Sequence, residues 1–485
     1  MTAVSDFVLG LLAGGGLTWL GFKQEFLSRE SFGLGNKRSG LTAAPLLRKH
    51  FRPAGPEDLN ISERIFPHRL RADLHSSLEE LLQQEFTVSS FYGVSLEYGY
   101  EGPRLADCLI DRDRNPTNII PPSYEELDIG EANPLRVLKG GLWLLTHGDL
   151  KCALLLSEHN RYGESLGSKL EFAVLNSAEG IEVATKFFTE LEQTVMKAHT
   201  YRGKILSLEQ GERAYSGQAM GVRVHKLREV SRDQVILPAE TLELLERNVI
   251  EFIKNRDQLA DSGMSTRKGI LFYGPPGTGK THTIHHLASS LPGHTTLLIT
   301  AEQIGLLTEY MALARLLQPS IVVLEDVDLI ARDRREFSRS ACEESLLNRL
   351  LNEMDGLKED SEILFLLTTN YPEMLEAALA ARPGRIDQAI EFPLPDAVGR
   401  EKLLRLYAGR LEVTDYISKE IVKRTEGVSA SFIKELMRRM AQFSIQLGTN
   451  GVITPQQIDL ALDEMLFKGG ELNRTLLGGG QERRS

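Results

Sequence analysis

Cysteine is scarce in this chain: Cys108, Cys152 and Cys342 are the only three among 485 residues, far apart and without metal-ligand spacing. That pattern excludes a disulfide framework and a thiolate metal site, and reads as small buried apolar side chains in a reducing compartment. Positive charge is in deficit, with 56 Lys and Arg against 67 Asp and Glu. The net charge of -11 argues against non-specific binding to nucleic acid phosphates. No basic stripe with interleaved aromatics offsets it, so a nucleic acid partner is not expected. A long hydrophobic run is missing too. Residues 7–22 carry no charge, yet they fall short of the ~20 residues that span a bilayer. Gly14, Gly15 and Gly16 weaken this segment as a helix, and no basic stretch precedes it as in a secretory signal. Two readings of 7–22 stay open: a membrane anchor or interfacial segment, and an apolar helix that docks or self-associates. The expected location is cytoplasmic, with membrane association through this segment as the alternative.

Apolar residues make up 42% of the chain and charged residues 25%, ordinary globular proportions. The length predicts about three domains. After the apolar segment at 1–30, residues 31–57 mix Gly, Pro, Lys and Arg without apolar periodicity and read as a linker. Residues 58–225 read as an α+β accessory or recognition domain. Within it, apolar runs at 138–145 and 151–156 flank a His147-Gly148-Asp149 turn, the pattern of a hairpin. Residues 169–175 read as another strand, and 181–198 have helical apolar spacing. From 235 to 395, short apolar runs at 269–273, 295–300, 321–324 and 363–367 alternate with helical segments. Such continuous apolar strands predict a parallel sheet covered on both faces. Residues 396–468 read as a helical lid and the Gly-rich end at 469–485 as a disordered tail.

The strand at 269–273 runs into Gly274-Pro275-Pro276-Gly277-Thr278-Gly279-Lys280-Thr281 and then a helix-forming stretch. This is the G-x-x-x-x-G-K-[ST] pattern in its strand, loop and helix context. Glycines let backbone amides curl around phosphates, and the helix N-terminus adds positive potential. Lys280 neutralises β- and γ-phosphate charge, and the Thr281 hydroxyl can coordinate Mg²⁺. His282 follows directly and is counted with the nucleotide-contacting residues. His282 and His286 form an i, i+4 pair that suggests a metal site, with His285 between them. No third ligand is visible, so helix packing is the preferred reading of the histidines. The fold class expected is α/β: a P-loop parallel sheet with a helical lid subdomain, preceded by an α+β N-terminal domain.

The run at 321–324 ends in Glu325-Asp326, with Asp328 two residues on. Two carboxylates at the end of a buried strand are costly unless they are used. The preferred assignment gives Glu325 to the hydrated Mg²⁺ and Asp326 to the attacking water. The alternative puts Asp326 on the metal and leaves no polarising acid. Thr368-Thr369-Asn370 ends the strand begun at 363, where the Asn370 amide can orient the water against the γ-phosphate. Arg382 and Arg385, in Arg382-Pro383-Gly384-Arg385-Ile386-Asp387, suit transition-state charge as an arginine finger does.

Together, GPPGTGKT at 274–281, the acidic pair at 325–326, LLNEMDG at 350–356, TTN at 368–370 and RPGRID at 382–387 resemble an AAA ATPase. The resemblance covers residues 237–467. It implies a homo-oligomeric ring, usually a hexamer, with ATP and Mg²⁺ held between neighbours. It further implies that Arg382 and Arg385 reach the next subunit's site and that Asn370 is the sensor-1 residue. Most of the family has Asp-Glu where this chain has Glu-Asp. That order, written LEDVD, is similar to the branch of the mitochondrial AAA translocase that assembles respiratory complex III, and to bacterial AAA proteins regarded as chaperones. Two departures stand out. Where the family places a pore loop with an aromatic before a glycine, Ile304-Gly305-Leu306 is the only remnant candidate, which counts against threading of polypeptide. Gly427-Val428-Ser429-Ala430-Ser431 matches the family's GxSGAD lid pattern only in part, and no sensor-2 arginine is assignable. Arg332, Asp333, Arg334 and Arg335 read as a solvated loop, with a client-facing second pore loop as the alternative. The function expected is an ATPase that hydrolyses Mg-ATP at ring interfaces and remodels or chaperones protein clients engaged by residues 58–225. The alternatives are a nucleotide-gated oligomeric scaffold with slow or no turnover, and a nucleic-acid remodelling ATPase.

Overall fold

The computed structural model describes residues 41–96, 102–110, 116–161, 164–197, 200–210, 219–329, 344–358, 361–374 and 385–468. Residues 7–22 and 469–485, Cys342, the run Arg332 to Arg335, and Arg382 lie outside the described residues.

Period-two alternation builds the first sheet. Its strands are β1 (Leu59–Pro67), β2 (Thr87–Leu96), β3 (Thr117–Ile120), β4 (Ser123–Leu127), β5 (Leu135–His147), β6 (Leu150–Arg161) and β7 (Glu164–Leu175). They pair antiparallel in the order β1-β7-β6-β5-β2-β3, with β4 on β5. The expected hairpin is β5–β6, turned at Gly148. Register stacks Trp143, Leu154 and Phe172 on one face and Leu144, Ala153 and Ala173 on the other. Helices Arg71–Glu85 and Ala178–Val195 cover the first face, where Phe172 and Phe187 stack with ring centroids 4.5 Å apart. Helices Ala43–Phe51 and Leu105–Leu109 cover the second.

The helix Ala43–Phe51 corrects the linker reading of 31–57. Ala43, Leu47 and Phe51 recur at helical spacing and are buried against the sheet. Arg48, Lys49 and His50 crowd the same turn and hide that stripe in the sequence. Cys108 and Cys152 are buried free thiols, both pushed up to about 12 by burial, and they pack as apolar side chains.

The second sheet holds β8 (Ile205–Gln210), β9 (Ala219–Val224), β10 (Lys268–Tyr273), β11 (Thr295–Ile299), β12 (Ser320–Leu324), β13 (Ile363–Thr369) and β14 (Gln388–Glu391). Their order is β14-β10-β13-β12-β11-β8-β9. The strands from β10 to β14 run parallel, and every residue of β12 and β13 is buried. That is why these segments read as unbroken apolar runs. One face packs Leu271, Leu297 and Tyr310; the other packs Phe272, Ile284 and Leu287. The lid follows as helices Ala397–Ala408, Asp415–Arg424, Ala430–Gln446 and Pro455–Asp463 around Phe432, Leu436 and Met440. Ser429 Oγ caps the third of these by accepting from Phe432 N. The chain is thus an α/β protein with a P-loop sheet, a helical lid and an α+β N-terminal lobe. No helix among the described residues is long and apolar enough to cross a membrane.

The 58–225 region does not close on itself as expected. Its last two strands leave the first sheet: β8 lies parallel to β11, and β9 antiparallel to β8. The β8–β11 register covers only Ile205 and Leu206. Beyond it, two side chains finish the ladder. Leu208 N donates to the Tyr310 hydroxyl (2.8 Å), which donates to Gln303 Oε1 (3.1 Å), while Gln303 Nε2 donates to Leu208 O (2.9 Å). Gln303 belongs to the segment of the remnant pore loop. Ala301–Leu306 is a 3-10 turn running directly into helix Leu307–Leu316, with Ile304 and Leu306 buried in the core. The ion pair Arg69–Glu309 ties the same helix to the first lobe. Tyr310→Phe strands the buried Leu208 N–H without an acceptor and is expected to cost ~1–3 kcal/mol of stability. Urea unfolding checks this as a lower midpoint at unchanged slope; an unchanged midpoint shows that the clasp contributes nothing.

Candidate functional site

Parallel strands send their carboxyl ends to one edge, and in this sheet the polar residues gather there. The P-loop follows β10, Glu325 and Asp326 follow β12, and Asn370 follows β13. A cleft of ≈ 390 Å³ opens between this edge and the lid. Residues 276–283, Asp326, Thr368 and Asn370 line it from the sheet, and Leu403, Tyr407, Ser431 and Lys434 from the lid. The extended segment Gln234 to Leu237 closes a third side.

Local backbone explains the loop. Gly277 (φ 76) and Gly279 (φ 103) occupy the left-handed region that residues with a Cβ avoid. At Gly277 the lid also comes close: a Cβ would lie 2.1 Å from Ser431 Oγ, and Ser431 N donates to Gly277 O (3.1 Å). The helix Lys280–Ser290 then points its N-terminus at the cleft.

Lys280 is buried and fully engaged, donating to Gly274 O (2.7 Å), Pro275 O (3.0 Å) and Asn370 Oδ1 (2.8 Å). Asn370 Nδ2 donates in turn to Asp326 Oδ1 (3.1 Å). Asp326 N donates to Thr368 Oγ1 (2.9 Å), and Asp326 sits at φ 50. Asp328, almost wholly buried, accepts from Thr369 Oγ1 (2.9 Å) and Asn370 N (3.0 Å), so it holds the end of β13 in place. Burial pushes the Lys280 ammonium down to about 8, against the pull of Asp326 and Asp328.

The structure brings Gly277, Thr278, Gly279, Lys280, Thr281, His282, Asp326 and Asn370 together in the cleft. Glu325 is not among the lining residues. Its N–H donates to Ile299 O (3.0 Å), and its carboxylate acts on His285, one turn beyond Thr281, whose pKa burial lowers and Glu325 raises. Arg385 pairs in bidentate fashion with Asp355 of its own chain and its side chain is only 11% exposed. That differs from a guanidinium held out toward a neighbour. The sequence reading gave Thr368 no role although it opens the TTN run, and it missed the lid residues Leu403, Tyr407 and Lys434, which belong to no local motif. The Thr281 hydroxyl and the Asp326 carboxylate, both lining the cleft, are oxygen donors of the kind that suits a hard divalent cation keeping most of its waters.

Residues 270–394 match the family described as "ATPase family associated with various cellular activities (AAA)". The chain is 32% identical over 245 residues to an ATP-dependent zinc metalloprotease FtsH of Metamycoplasma arthritidis, covering 47% of this chain and 32% of that one. It is 34% identical over 242 residues to the FtsH of Mesomycoplasma conjunctivae (47% and 31%). It is 32% identical over 222 residues to a proteasome-activating nucleotidase of Saccharolobus solfataricus (42% and 55%). The chain thus spans about a third of the length of these FtsH relatives and about half of the nucleotidase. It contains an AAA ATPase domain related to theirs.

A triphosphate beside Lys280 favours the ammonium and raises its pKa. Lys280 is protonated in the free site well below pH 8 and increasingly neutral above it. ATP binding is therefore expected to take up almost no proton near pH 6.5 and up to about half a proton at pH 8. Calorimetry in buffers of different ionisation heat measures this, and uptake that does not grow with pH contradicts the depressed ammonium.

Proposed function

We propose that this chain is a ring-forming ATPase that hydrolyses Mg-ATP and uses the cycle to remodel protein clients held by the first lobe. The observation that carries the reading is the chain of hydrogen bonds Lys280–Asn370–Asp326 beneath the P-loop. In it a cation for phosphate, an orienting amide and a carboxylate for water meet at one edge of the cleft. Lys280 exchanges Gly274, Pro275 and Asn370 for phosphate oxygens, which frees the Asn370 oxygen to turn toward the attacking water. Asp326 accepts that water's proton. Thr281, with Glu325 reached through water, would hold Mg²⁺, which when bound would neutralise phosphate charge. Arg382 and Arg385 of a neighbour complete the site, Arg385 by leaving Asp355. The Glu325-Asp326 order supports a place near the branch of the complex III assembly translocase and the bacterial chaperone-like proteins. The buried Ile304 and Leu306 favour remodelling of folded clients over threading.

Asp326→Asn keeps the hydrogen bond to Asn370 but removes the base. Steady-state ATPase activity is expected to fall ~10-fold or more with ATP binding retained, and unchanged hydrolysis sinks the assignment. A second reading, a nucleotide-gated scaffold with little turnover, is favoured by the Arg385–Asp355 pair. Measurable turnover of the oligomer that is lost in Arg385→Ala rules it out.

A further inference from the structure

Two of the histidines behind the P-loop have a use that neither helix packing nor metal binding describes. His282 Nε2 lies 3.2 Å from Gln234 O, and His286 Nδ1 lies 2.8 Å from Val230 O. A carbonyl oxygen only accepts, so each of these ring nitrogens carries the proton and neither is available to ligate a metal. The pair sits at i and i+4, on one face of the helix Lys280–Ser290. Both therefore reach the same segment, 230–237, which makes one 3-10 turn at Arg232–Gln234, at two points four residues apart. His286 is 9% exposed, and Ser290 Oγ lies 3.2 Å from the same nitrogen.

That segment is a strap. Leu237 packs on the core of the sheet and Ile236 on the core of the lid, so the strap bridges both walls of the cleft. Val235 N and Gln234 N turn back on Arg232 O and Ser231 O. The amide and carbonyl of Ile236 engage no partner among the described residues, and Ile236 lines the cleft. A free N–H beside a free C=O complements the edge of adenine, which offers an amino donor next to a ring acceptor. Guanine presents a carbonyl where adenine has its amino group.

We infer that His282 and His286 are positioning residues that fix the base-reading strap against the P-loop helix, and that this registry sets the affinity for adenine nucleotides and their selection over guanine nucleotides. One rigid helix then holds both ends of the ligand: its N-terminus faces the phosphates, and its first two turns pin the peptide that reads the base. The inference rests on the reading of the cleft as a nucleotide site.

The test is equilibrium binding to the full chain by calorimetry, with β,γ-imido analogues of ATP and GTP and with inorganic tripolyphosphate, which engages the phosphate end alone. In His282→Leu the affinity for the ATP analogue is expected to fall about three- to tenfold, the worth of one hydrogen bond. The preference over the GTP analogue shrinks in step, and tripolyphosphate binding moves less than twofold. His282→Gln and His286→Asn each keep an N–H near the original nitrogen and restore most of the preference. An unchanged ATP-to-GTP ratio in His282→Leu overturns the inference, as does an equal loss for tripolyphosphate, which marks a general disturbance of the helix. Absence of all binding in the unmodified chain strikes the nucleotide site itself and is told apart on that ground.

Discussion

The side-chain amide of Asn370 is the joint on which the carboxyl edge of the second sheet depends. Its oxygen accepts from Lys280 and its nitrogen donates to Asp326, so one neutral group holds a cation and an anion in fixed relation. A carboxylate in that place repels Asp326, and an ammonium repels Lys280; a primary amide offers both polarities without net charge. Topology delivers it. β13 lies between β10 and β12, with Thr369 paired to Tyr273 and Leu367 to Leu324, so its end falls within reach of both the P-loop and the acidic pair. Lys280 tolerates burial because three acceptors surround its ammonium, and an unpaired charge there costs several kcal/mol.

A second amide does similar work three strands away. Gln303 joins Leu208 O, the Tyr310 hydroxyl and Thr300 N, binding the end of β11 to the strand that comes from the first lobe. From Asn370 to Leu208 the path runs through β13, β12 and β11 by main-chain pairing and then through this clasp, with no gap in hydrogen bonding. Arg202 adds bonds to Gln318 O and Leu316 O at the opposite end of the same helix. The first lobe is therefore built into the second sheet through β8 and this clasp. A displacement of β11 or of helix Leu307–Leu316 has to be carried by β8 or break buried hydrogen bonds. The same bonds hold Ile304-Gly305-Leu306 in the core.

Legibility in the sequence followed the range of the interactions. The P-loop, the acidic strand end and the unbroken apolar strands β10 to β13 are local patterns, and each stood where spacing put it. The β5–β6 hairpin was readable for the same reason, from two apolar runs around Gly148. The helix Ala43–Phe51 was not, because its four buried positions lie among Pro45, Arg48, Lys49 and His50, which mimic linker composition. The partner of β8 was illegible, since the bond between Leu208 and Tyr310 spans 102 residues. Arg385 shows the limit of motif reading: the run RPGRID marks the residue but says nothing of Asp355, thirty positions back, which holds its guanidinium. The histidines are a related case. Their spacing was visible, but the carbonyls that occupy them sit 48 and 56 residues upstream.

The reversed acidic pair has a physical reading that composition alone did not offer. Position 326 lies two residues past the last paired residue of β12 and turns into the left-handed region, at φ 50. Residues with a Cβ are uncommon there, and Asp is several-fold enriched among those that adopt it, because its short polar side chain can bond locally. Asp326 does so through Thr368 at its N–H and Asn370 at its carboxylate. A glutamate at 326 carries an extra methylene past the Asn370 amide and gains no such preference for the backbone. At 325 the chain still continues the sheet, its N–H bonded to Ile299 O, and glutamate is tolerated without strain. Its charge is felt at His285 on the P-loop helix. Each acid thus stands where its length and backbone preference fit.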